Sequence, residues 1–171
     1  MEKFRISYSK LSILISIVFF AFIITNCSIR EKKTSENRLT ASYIELEKAK
    51  VKSVLIEMWD AIEKEDIERY ASYVHPDFTQ FGETDSVLKI GKKIEVEGVR
   101  QWVRNSSGIH TKMLETRITI KGDVAWITYY WSDSGVTNDQ KFASRGKSTR
   151  IFVKENEKWP CIHGHYTLLP N

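Results

Sequence analysis

His163 and His165 stand two residues apart in the segment IHGH, 162–165. On a strand both rings would leave one face, because successive side chains alternate. Two imidazoles so placed form one corner of a metal site, or supply a general acid or base with an unperturbed pKa of about 6.5. A metal would need a third ligand from His75, His110 or a carboxylate, and no spacing puts one beside the pair. Hydrogen bonding is the commoner use of such histidines, so neither a metal nor any other cofactor is expected. Arg150 is the sharpest single candidate. On a strand it shares a face with Ser148 and Phe152, while Thr149, Ile151 and Val153 take the other. On sequence alone a solvated strand arginine is the favoured reading; in a half-apolar cavity, a guanidinium would grip a carboxylate through paired hydrogen bonds. Asp77, just after Pro76, is the nearest candidate for a carboxylate base, with a helix-end or turn role as the alternative.

The two cysteines of the 171 residues are too few for a disulfide scaffold or a zinc finger. Cys27 ends a segment of the export type. Lys3, Arg5 and Lys10 precede the apolar run of residues 11–25, which is shorter than the ~20 residues a helix needs to cross a bilayer. The run closes on Ile24-Thr25-Asn26-Cys27, which resembles a bacterial lipobox, with Asn26 where Gly, Ala or Ser usually stands. The resemblance implies cleavage before Cys27, a lipid on that residue, and a protein held at the membrane of a bacterial cell envelope. An uncleaved N-terminal anchor helix is the alternative. Cys161 is then alone and reads as a small buried apolar residue.

The whole chain has 26 basic and 22 acidic residues, a net +4. Without residues 1–26 the count is 23 against 21, a net +2, with the signs interspersed. Nucleic acid is therefore not an expected partner. Three segments follow: a signal peptide at 1–26, a tether at 27–42, and one domain at 43–171, of ordinary single-domain length.

Within the domain, Val51, Val54, Leu55, Met58, Trp59 and Ile62 recur at spacings of three and four, one apolar face of a long helix. Asp66 caps a second helix, with Ile67, Tyr70, Ala71 and Val74 inward, ending before Pro76. A short strand at 78–82 and a third helix at 96–104 come next. Residues 113–121, 124–131, 141–154 and 158–168 are rich in Thr, Ile, Val, Trp and Tyr and read as strands. Gly122-Asp123 and residues 155–157 supply turns. Helices followed by antiparallel strands make an α+β layer fold.

The segment DIERYASYVHPDFTQF (66–81), then Ile109-His110-Thr111 leading to RITIKGDVAWITYY, then residues 148–152, 157–159 and IHGH, resembles the NTF2-like, SnoaL-like proteins. It is particularly similar to the association domain of calcium/calmodulin-dependent kinases, over about residues 45–168. The resemblance implies an NTF2-like cone: a strongly bent antiparallel sheet wrapped around a long N-terminal helix, with two shorter helices and a pocket. It also implies homodimers or larger homo-oligomers paired through the outer sheet face. Arg150 matches the arginine of a Thr-Arg-Val segment that points into the pocket there and meets a carboxylate. A second pocket arginine of that domain is matched here by Thr128, so half of the pair is missing. Trp59, Tyr70, Phe81, Trp102 and Tyr130 are candidates to line the pocket with Arg150, although aromatics at such spacings are more often plain core.

Three readings stay open at this point. One is an anchored module that binds a small, carboxylate-bearing molecule or a partner without chemistry. Another is an isomerase, dehydratase or cyclase using His163 or His165 with Arg150. The third is a structural dimer whose pocket is filled by aromatics. The fold class alone does not choose among them.

Overall fold

The computed structural model describes residues 40–83 and 85–170. The expected signal peptide, Cys27 and most of the tether lie outside them. Among the described residues no helix is long and apolar enough to cross a membrane. Residues 46–171 form a compact unit. Before it, residues 40–45 are helical, so the expected tether at 27–42 overlaps the helix by three residues.

The helical face read from the sequence is the buried one. In α1 (residues 40–63), Val51, Leu55, Met58 and Ile62 enter the core. Asp66 caps α2 (Ile67–Ser72) by accepting a hydrogen bond from the Arg69 amide at 3.0 Å. Val74, expected on that helix, instead opens β1 (Val74–Phe81), paired to Cys161. The coming Pro76 biases His75 toward extended backbone, and β-branched Val74 suits the strand. A two-residue strand, β2 (Lys89–Ile90), leads to Gly91, whose φ of 98° starts α3 (Lys92–Arg104) one turn earlier than expected.

The rest is a meander: β3 (Ser106–Lys121), β4 (Val124–Thr137), β5 (Gln140–Val153) and β6 (Cys161–Leu168). The curled, open sheet has the order β2-β1-β6-β5-β4-β3, and only the β1–β6 pair is parallel. Gly122-Asp123 turns the first hairpin as expected. Asn138 and Asp139, both in left-handed backbone at φ 50° and 62°, turn the second, so β4 runs six residues past its expected end. Register breaks in β3 between Ser107 and His110 and between Leu114 and Arg117 bend the sheet. Ala125, Ile127, Tyr129 and Trp131 of β4 and Phe152 of β5 form the inner face against the helices.

Candidate functional site

The inner face and the helices enclose a cavity of about 950 Å³. Its position follows from one cross-strand row. Ile127 on β4, Arg150 on β5, Gly164 on β6 and Gln80 on β1 are successive register partners. The Arg150 side chain extends along this row, and its Nη1 donates to Gln80 Oε1 at 2.9 Å. A Cβ on Gly164 would collide with that Nη1 and crowd the Gln80 oxygen. Glycine is thus what lets the guanidinium cross β6.

Arg150 is 7% exposed, and its buried Nε has no partner among the described residues. No carboxylate there pairs with it within 4 Å. The buried carboxylate at this end is Glu95 of α3, which accepts from the Tyr70 hydroxyl at 2.7 Å. Burial, with Glu95 beside it, holds the Tyr70 phenol well above its ordinary pKa, so it stays a donor. Tyr129 also lines the cavity, and its buried hydroxyl has no partner among the described residues. Asp133 lies further along the same face of β4. Its Oδ1 is buried without a partner among the described residues, and its carboxyl is pushed up to about 6, chiefly by burial. The field of Glu63 and Glu83 adds to that rise, and Thr111 opposes it.

Arg150, Trp59, Tyr70 and Trp102 come together around this cavity. Phe81 and Tyr130 do not. In β1 it is Gln80 that points inward to meet Arg150, so Phe81 is 38% exposed on the outer face. In β4 the inward set is Ile127, Tyr129 and Trp131, which turns Tyr130 outward at 46% exposure. A one-residue offset reverses a strand's faces. Thr128 is outward for the same reason, so it is not the cavity neighbour of Arg150; Ile127 is.

The histidines need a larger correction. The inward residues of β6 are Cys161, Gly164 and Tyr166, which puts His163 and His165 together on the outer face. His163 Nδ1 meets Thr79 Oγ1 at 2.8 Å, and its pKa is lowered by burial and by His165 and Arg150. The His165 ring stands edge-on to Phe81 with centroids 6.0 Å apart. Neither lines the cavity, so acid–base chemistry by these histidines with Arg150 has no geometry to support it. Asp77 is exposed on β1, and His75 is engaged by Glu155 at 3.1 Å. Among the described residues no three His, Cys, Asp or Glu side chains converge as a metal site.

Gln80, Glu95, Tyr129 and Asp133 were not singled out from sequence. Only Asp133 had a readable signal: the inward alternation 127, 129, 131 continues to 133 once β4 is allowed its full length.

A curled sheet over a polar-based, aromatic-walled cavity has the concave, largely apolar form in which proteins commonly hold small molecules. A family model described as a SnoaL-like domain matches residues 51–170, and the chain belongs to that family. Among solved structures, a candidate dehydratase of the NTF2-like family from Streptomyces avermitilis is 13% identical, with a TM-score of 0.68 over 74% of this chain and 99% of that one. The association domain of C. elegans CaMKII is 23% identical, with a TM-score of 0.60 over 73% and 98%. The S. rosetta CaMKII hub is also 23% identical, with a TM-score of 0.59 over 71% and 95%. At these identities the likeness carries the fold.

Proposed function

We propose that this is an exported, lipid-anchored binding protein whose cavity holds a small carboxylate-bearing molecule on Arg150. One observation carries the reading: a guanidinium nine-tenths buried, with one side-chain acceptor and no ion-pair partner among the described residues, forms part of the cavity wall. Burying a charge costs several kcal/mol, which the field of Glu95 offsets only in part, and a bound carboxylate would add paired, charge-assisted hydrogen bonds. The aromatic walls supply apolar area for the rest of the ligand. Calorimetric titration with matched acids and primary amides tests this. Binding of acids in preference to their amides is expected; equal binding of both would overturn the reading.

The basic segment, apolar run and Cys27 support anchoring. Cys27→Ala should move the protein from the membrane to the soluble fraction and remove an acyl mass from its N-terminus. Unchanged fractionation and mass would defeat the anchor. Exposed Leu114 and Tyr130 on the outer sheet face, with the likeness to hub domains, support self-association through that face. Light scattering at the monomer mass would refute it.

A further inference from the structure

The same cavity has a second unsatisfied charge. Asp133 and Arg150 lie on the inner faces of neighbouring strands, with Asp133 paired to Ser144 and Arg150 to Ile127. Six residues separate the two rows, about 20 Å of strand at ~3.3 Å per residue. The groups cannot neutralise each other across that span. Asp133 has no cationic partner among the described residues, and the charged groups whose fields reach it, Glu63 from α1 and Glu83 from the β1–β2 connection, are both acidic. Lys89 and Lys93 also line the cavity, but Lys89 is held by Asp85 at 3.0 Å.

Aromatic side chains line the cavity that the two charges share. Trp131 precedes Asp133 on the inner face of β4, and Gly146 across from it leaves room for the indole, which a Cβ would strike. Trp59 stands on the same cavity, with Trp102 and Phe142 tilted at 54° and centroids 6.5 Å apart. Tryptophans sharing a cavity with a carboxylate suit an ammonium group, which an indole attracts by cation–π interaction in addition to the ion pair. A phenol or alcohol would satisfy one oxygen of Asp133 but leave its charge uncompensated.

We infer that the cavity selects a bipolar ligand, an elongated ω-amino acid with its carboxylate on Arg150 and its ammonium on Asp133 among the tryptophans. This rests on the reading of Arg150 as the acid's anchor and adds the chemistry of the other end.

Titration at neutral pH with 12-aminododecanoate, dodecanoate, dodecylamine and dodecanamide separates the two. The amino acid should bind on the order of tenfold more tightly than dodecanoate, the usual scale of one charge-assisted contact. Asp133→Asn, nearly isosteric, should remove that ratio, with ligand-free thermal unfolding showing that the variant is folded. If dodecanoate binds more tightly than the amide but the amino group adds nothing, the bipolar assignment is overturned and the Arg150 reading stands. If dodecylamine matches the amino acid, or no acid outbinds the amide, Arg150 anchors nothing and both fall. A ratio that persists in Asp133→Asn places the ammonium elsewhere and overturns the assignment.

Discussion

Replacing Arg150 with methionine should weaken carboxylate binding by about 100-fold or more, the scale of two lost charge-assisted hydrogen bonds, while leaving the melting temperature unchanged or higher. The two halves of this expectation have one origin. In the unliganded fold the guanidinium is buried on a row between Ile127 and Gly164 and has only Gln80 to receive a hydrogen bond. Its desolvation is offset by that bond and by the field of Glu95, with no direct ion pair among the described residues. Methionine fills a similar length of the same groove with apolar atoms, and such exchanges of buried charge for well-packed hydrophobe are often neutral or stabilising. Gln80 loses its donor, a cost of about 1 kcal/mol, which offsets part of the gain. Arg150→Lys keeps the charge but not the planar fork, and should fall between methionine and the wild type in affinity. A methionine variant that melts several degrees lower yet still binds acids would show that Arg150 serves the fold and not the ligand.

The elements were legible wherever hydrophobic period and turn chemistry agreed. Asp66 announced its helix, Gly122-Asp123 its hairpin, and the composition of 141–154 its strand. What failed was the assignment of faces. The run 126–131 places large or β-branched side chains on both alternations, so Tyr129 and Tyr130 could not be told apart by pattern. In β6 the spacing of His163 and His165 was read correctly as one shared face, but the face is the outer one. Gly164 must lie inward because the Arg150 chain passes over it, a constraint that exists only once β5 and β6 are paired. Gln80 displaced Phe81 from the interior through the same contact, where polarity alone argues for the reverse. Asp133 was lost because Ser132-Asp133-Ser134 has the composition of a turn, while the actual turn waits for Asn138-Asp139. Arg150, Trp59, Tyr70 and Trp102 were accessible from the resemblance; their partners at the cavity depended on long-range pairing.

Away from the cavity, Glu47→Leu should destabilise the domain by about 3 kcal/mol at neutral pH, the scale of breaking a buried charged network from one side. Glu47 is 1% exposed on α1 and reaches 112 residues along the chain to accept from Trp159 Nε1 at 2.8 Å. Lys50 Nζ lies at 2.6 Å and Lys154 Nζ at 3.2 Å from its carboxylate oxygens. Leucine removes all three contacts and leaves the Trp159 N–H buried without an acceptor. The pH dependence separates charge from packing. The hydrogen bond from Lys50, with Trp159 and Lys154, lowers the carboxyl to about 2 against the effect of burial. A folded pKa below the unfolded value of 4.5 gives stability that is present above pH 4.5 and lost as pH falls through about 2. Because Lys50 is partly solvated, about 2 kcal/mol of that linkage is expected in practice. Glu47→Gln keeps an oxygen for the indole and loses only the charge. Urea unfolding at pH 7 and pH 2 should show the Gln variant less stable than wild type at the higher pH, with most of the gap gone at the lower. A gap equally large at both values would mean that the shape of the side chain, and not its ionisation, holds α1 to the β5–β6 connection.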